Sequence, residues 1–139
     1  MFGTSSVPSN SSPPSALVKA VIEFAETQIG VRESPLGSNR GKEIDQYLRA
    51  VGLNPVNNSF AWCVAFTHFC FLKAAASLNR EIPHIKTAGV LAHWNKTGRK
   101  VGAVRVTSKN AIVHPSLVKP GSLFIYRFWQ WARAFRNRR

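Results

Sequence analysis

A cysteine directly after a tryptophan, within Phe60-Ala61-Trp62-Cys63-Val64-Ala65-Phe66-Thr67, is the feature of this chain most suited to chemistry. From Val64 to Leu78 there is neither glycine nor proline, and Phe66, Phe69, Cys70 and Ala74 recur at helical spacing. The polar run Asn57-Asn58-Ser59 precedes it, with Ser59 as the expected N-cap. This pattern places Cys63 in the first turn of a helix, where unpaired backbone N–H groups and the helix dipole favour an anion such as a thiolate. Cys63 then reads as an activated nucleophile. A buried cysteine acting as a small apolar residue fits the same stretch. Cys70 lies seven residues on, about 10.5 Å along a helix, too far for a disulfide, and reads as core.

The elements that must position Cys63 follow from the hydrophobic pattern. Ser15 caps a helix running to about Ile29, with Leu17, Val21, Phe24 and Gln28 along one edge of its apolar face and Val18, Ile22, Ala25 and Ile29 along the other; Gly30 ends it. A loop over residues 31–40 carries Glu33 and Asn39. A second helix follows Gly41, with Ile44, Tyr47, Leu48 and Val51 inward, and ends at Gly52. Thr87 is expected to cap a fourth helix over residues 88–95, packed through Val90, Leu91 and Trp94. Val101 to Val106, Ala111 to Val113 and Ser122 to Tyr126 read as strands, the last after a Pro120-Gly121 turn. Helices first and strands last predict an α+β fold. A strand at residues 122–126 needs partners that nothing after it supplies, so the sheet is expected to be incomplete at the C-terminus.

Charge divides the chain. Through Glu81 there are seven Lys and Arg against six Asp and Glu, a net +1; from Ile82 onward there are twelve Lys and Arg and no acid, a net +12. The second part would attract any polyanion, whether nucleic acid, anionic lipid or a teichoic-acid-like wall polymer. Residues 1–15 are rich in Ser, Pro and Asn and read as a disordered leader; residues 16–126 form the domain; residues 127–139, with five arginines and Phe128, Trp131, Ala132 and Phe135 at helical spacing, read as a cationic amphipathic tail suited to a wall or membrane surface. No stretch is long and apolar enough to span a bilayer, and the N-terminus lacks the basic start and apolar run of a secretory signal. No helix-turn-helix, zinc or RNA-binding pattern supports a nucleic-acid partner, and no acidic cluster of calcium-loop type is present.

Taken together, Gly30-Val31-Arg32-Glu33, Asn39-Arg40-Gly41, Tyr47-Leu48, Trp62-Cys63-Val64-Ala65-Phe66, Thr87-Ala88-Gly89-Val90, Trp94 and Pro120-Gly121 resemble the CHAP-type cysteine amidase/peptidase group of the NlpC/P60 superfamily, over roughly Leu17 to Tyr126. The resemblance implies a papain-like α+β fold with N-terminal helices followed by an antiparallel sheet. It also implies peptidoglycan as substrate, a phage lysin or autolysin-like role, no cofactor, Cys63 as nucleophile, and Trp62, Glu33 and Asn39 as substrate-groove or turn residues.

A papain-like mechanism also needs a histidine to take the thiol proton and return it to the leaving amine. In the family this residue lies in a Gly-His motif after a Pro-Gly-Asp strand. Here Ser122 stands in place of that Asp and the Gly-His motif is absent. His68, five positions after Cys63, faces about 140° away on the helix, and His84, His93 and His114 match no family position. Read one base later, degenerate codons for residues 127–138 permit Asp-Phe-Gly-Ser-Gly-His-Gly-His-Ser-Gly-Ile-Val, with two of the glycines forced by Trp codons. This predicts a frameshifted or truncated enzyme that lacks its base. The gene's nucleotide sequence checks the expectation: the +1 frame after codon 126 should encode the Gly-His residues, and any other reading there refutes the frameshift.

Overall fold

Three helices built around one tyrosine carry the structure. The computed structural model describes residues 13–100 and 102–125; most of the expected leader and all of the tail at 127–139 lie outside the described residues. The helices are α1 (Ala16–Thr27), α2 (Lys42–Ala50), α3 (Cys63–Ser77), α4 (Val90–Thr97) and α5 (Ser108–Val113), followed by a 3₁₀ turn at Pro115–Leu117.

Each start and stop has a local cause. The Ser15 hydroxyl accepts from the Val18 N–H and opens α1. The chain leaves α1 through Gly30, at φ +99°, and leaves α2 through Gly52, at φ +86°, both left-handed positions that glycine occupies without a side-chain clash. In α2, Ile44, Tyr47 and Leu48 form the buried stripe that the three-and-four spacing requires, and Glu43 and Asp45 in the first turn suit the helix dipole. Arg40 reaches over that turn in a bidentate pair with Asp45, at 2.8 and 2.9 Å. This contact, above all the hydrogen bond, holds the Asp45 carboxyl below the usual carboxylate range.

Tyr47 is 1% exposed and sits where α1, α2 and α3 meet. Its ring packs against Phe69 at 5.1 Å, Phe66 at 5.2 Å and Trp62 at 6.1 Å between centroids. Its hydroxyl donates to Gln28 Oε1 at 2.7 Å, just past the end of α1. Phe24 of α1 meets Phe69 at 5.8 Å. Burial pushes the Tyr47 hydroxyl up to about 12. A second cluster joins Leu17 to Ala74 and Ala75, so α1 lies along the length of α3, clamped at both ends. Helix α3 is the central element: Ala65, His68, Phe69, Cys70, Ala74 and Ala75 are buried from its first turn to its last.

The α+β expectation is not met. Among the described residues there is no strand and no sheet, so the papain-like antiparallel layer is absent. Ala111 to Val113 falls inside α5, which Thr107 caps by accepting from the Asn110 N–H. Residues 103–106 and 122–125 form no regular element. The physical reason is pairing: strand-forming side chains stabilise a strand only against neighbours, and none of these segments finds a partner backbone. Val104 and Ile112, expected in strands, are 77% and 80% exposed. The Pro120-Gly121 turn does form, with Gly121 at φ +84°. It rests on α1, where a Cβ on Gly121 would come within 2.5 Å of Val18 Cγ1.

Two boundaries also move. The fourth helix begins at Val90 with Gly89 as its cap, while Thr87 accepts from the Gly89 N–H outside the helix. Helix α1 ends at Thr27 and not near Ile29, and Ile22 within it and Ile29 beyond it, both expected to face inward, are exposed.

Tyr47→Phe removes one buried hydrogen bond and should cost about 1 kcal/mol. Tyr47→Ala leaves a cavity between three helices and should cost about 3–5 kcal/mol. Urea unfolding followed by far-UV circular dichroism checks both values, with the larger loss expected for the alanine.

Candidate functional site

The mouth of α3 is assembled from two loops that the tyrosine core holds in place. Trp62 is the N-cap of α3, and no side chain accepts from the first-turn N–H groups. Cys63 is the first residue of the helix and is exposed, whereas Cys70 is buried; both are free thiols. Burial pushes the Cys70 thiol up to about 11. The two cysteines therefore differ in access as well as in position.

Glu33, Asn39 and Trp62 come together beside Cys63. The Trp62 indole Nε1–H donates to Glu33 Oε1 at 2.9 Å, bridging the loop after α1 to the residue before the cysteine. That bond, opposed by partial desolvation and reinforced by the Asn39 and Gly37 N–H groups, holds the Glu33 carboxyl below its ordinary value. Asn39, at φ 55°, donates through Nδ2 to Ser59 Oγ at 3.0 Å. Ser59 therefore ties the two loops together and is not the cap of α3. Glu33 and Asn39 fix the approach to the helix, and the fixed Trp62 ring stands against Phe66, 6.3 Å away and nearly perpendicular. The arrangement can present one thiol at an uncapped helix start, next to an oriented indole.

No histidine serves that thiol. Cys63 makes no hydrogen bond to any of the four, and all four lie among the described residues. His114 is exposed at the end of α5. The other three meet in a cluster the sequence does not announce, which borders Thr67, one turn along α3 from Cys63. His68 of α3 and His84 face each other through their Nδ1 atoms at 3.2 Å, and His84 stacks on His93 of α4 at 4.4 Å between centroids and on Phe71 at 5.1 Å. His84 Nε2 lies 3.4 Å from Thr67 Oγ1, whose own proton goes to the Val64 carbonyl. Thr67 therefore accepts from His84 Nε2–H. The Nδ1 atoms of His68 and His84 face each other within hydrogen-bond distance, where one proton can bridge two neutral rings. Only tertiary proximity shows this cluster, because His68, His84 and His93 follow no motif in sequence. No group of three or more ligating side chains suited to a metal ion occurs among the described residues.

All three rings are held neutral. Burial is the main cause in each case, and it takes His84 down to about 3, with help from His93, His68 and Lys100; Lys86 acts on His68 in the same sense. No carboxylate offsets these charges. The folded pKa values lie below the unfolded value near 6.5. Stability from the cluster is thus complete above that pH and is lost as pH falls below it, because the unfolded chain then binds more protons.

Compared with protein-family models, with characterised proteins and with solved structures, the chain matches none.

The melting temperature should fall steadily from pH 7 to pH 5. In His84→Phe, which retains the stacking on Phe71 and His93, the slope should be smaller because one titrating ring is gone. Thermal melts at matched ionic strength check this, and an unchanged slope contradicts the assignment.

Proposed function

We propose that the chain is a peptidoglycan hydrolase-type domain in which Cys63 is the nucleophile and whose turnover is impaired because no general acid–base stands beside the thiol. The observation that carries the reading is the exposed Cys63 thiol at the uncapped start of α3, next to a Trp62 ring fixed by Glu33. The ordered motif set from Gly30 to Trp94 supplies the substrate class by its resemblance to CHAP-type amidases and peptidases.

In the reaction, the Cys63 thiolate adds to the carbonyl carbon of a wall amide. The first-turn N–H groups of α3 favour negative charge at that position. The C–N bond then breaks to give a thioester and an amine, and water hydrolyses the thioester to a carboxylic acid, regenerating the thiol. The amine departs only when protonated. Without a positioned imidazole that proton comes from solvent, and the missing group is worth about 10² to 10⁴-fold in rate.

The net +12 from Ile82 onward supports a second reading, a cationic wall- or membrane-binding protein acting through residues 127–139. Wall lysis by the intact chain, by Cys63→Ala and by a truncation after Tyr126 separates the two: loss with Cys63 alone marks the enzyme, loss with the tail alone the binding protein.

Iodoacetamide should add one group to the native protein, at Cys63, and reach Cys70 only in denaturant, as read by peptide mass spectrometry. Slow wall lysis should vanish in Cys63→Ala and should rise with millimolar imidazole, which supplies the absent proton carrier to the intact chain but not to the alanine variant. A Cys63 inert to alkylation in the folded protein overturns the hydrolase reading.

A further inference from the structure

The end of α4 gathers positive charge with no counter-charge. After Thr97 the chain turns tightly, with Arg99 N–H donating to the Lys96 carbonyl, Lys100 N–H to Thr97 and Ala103 N–H to Lys100, at 3.0–3.2 Å. These turns keep Lys96, Arg99, Lys100 and Arg105 around one helix end. Arg105 lies over the Trp94 ring, its Cζ 5.0 Å from the centroid, and donates to the Trp94 carbonyl at 3.4 Å. Gly98 leaves the space for it, since a Cβ there would collide with the Arg105 guanidinium. The Lys100 ammonium donates to the Pro83 carbonyl. Lys96 and Arg99 are exposed, and both salt bridges among the described residues, Lys19–Glu23 and Arg40–Asp45, lie elsewhere. One cation at a helix C-terminus is explained by the dipole. Four, in a chain with no acid after Glu81, repel one another unless an external anion joins them.

We propose that Lys96, Arg99, Lys100 and Arg105 form a docking surface for a flexible phosphodiester polymer of the cell wall, of the poly(alditol phosphate) class. The choice of a wall polymer rests on the hydrolase reading; the charge surface itself does not depend on Cys63. Trp94 favours this partner over a nucleic acid. A single-stranded nucleic acid is held by stacking bases on aromatic faces beside a basic groove. Here the guanidinium of Arg105 covers one face of the Trp94 ring, leaving less aromatic surface for a base to stack on. The exposed Lys96 and Arg99 are charges suited to backbone phosphate. The surface holds polymer next to the α3 domain, so that substrate wall stays within reach of a slow thiol.

Binding of fluorescent poly(glycerol phosphate) by the full-length chain is the test, with single-stranded DNA of equal charge and phosphatidylglycerol vesicles as the competing probes. Lys96→Gln with Arg99→Gln should weaken polymer binding roughly tenfold at 0.1 M salt. The log–log salt slope should become shallower by about 1.4, two contacts at about 0.7 each. The same loss should appear in a background whose five arginines from Arg127 to Arg139 are glutamine, which separates this surface from the tail. The exchange Lys96→Arg with Arg99→Lys should preserve binding, and iodoacetamide restricted to Cys63 should report the native fold of each variant. Unchanged affinity and slope in the glutamine variant, loss of binding in the charge-preserving exchange, or tighter binding of DNA or vesicles than of polymer each overturns the proposal. Because Cys63→Ala should bind polymer as the intact chain does, failure of the hydrolase reading and failure of this surface are read separately.

Discussion

The wedge of Tyr47 between three helices is the contact on which the rest of the molecule depends. One ring touches Trp62, Phe66 and Phe69, and its hydroxyl satisfies Gln28 beyond the end of α1. A buried tyrosine without a partner for its oxygen would be costly. The Gln28 bond removes that cost and ties the loop after α1 to the axis of α3. The tilt of α3, and so the place where Cys63 emerges, is set by packing some distance from the thiol.

From that anchor the site is built by two polar cross-links. Glu33 holds the Trp62 indole, and Asn39 holds Ser59. Each joins the loop before α2 to the segment before α3, so these three candidate residues form the frame of the helix mouth. The direct consequence is a thiol that is exposed and seated but has no histidine beside it. Three of the four histidines are committed to their own cluster, where burial keeps them neutral and none is hydrogen-bonded to the thiol. Imidazoles held neutral by desolvation among lysines cannot relay protons to a thiol they do not touch.

The uneven charge acquires a physical location in the same way. The +12 of the second part is a sum over sequence. The turns after α4, the open side of Gly98 and the seat of Arg105 on Trp94 turn part of that sum into one surface. Charge that is merely abundant attracts polyanions without preference. With Arg105 over one face of Trp94, less aromatic surface remains there for stacking.

The first three helices were legible in the sequence because their signals are local. Ser15 caps α1, Gly30 and Gly52 permit the left-handed exits, and the spacing of Ile44, Tyr47 and Leu48 prescribes one buried stripe. The placing of Cys63 at a helix start could be read from the same pattern, but its exposure could not, and Glu33 and Asn39 were marked by resemblance without their roles as cross-links. Ser59 illustrates the limit: a hydroxyl before a helix has the composition of a cap, yet Asn39 claimed it. The strands failed for a different reason. Apolar runs at 101–106, 111–113 and 122–126 carry a strand preference that only a neighbouring strand can realise. Without partners, Thr107 capped a helix at one of them, and the described part of the other two formed no regular element. The histidine cluster was likewise invisible, since His68, His84 and His93 share no spacing and meet only when α3 and α4 pack. Sequence alone fixed what is set within a few residues of chain, the caps, turns and apolar stripes; the tertiary structure decided every feature that depends on groups distant in sequence sharing a proton, a ring face or a hydrogen bond.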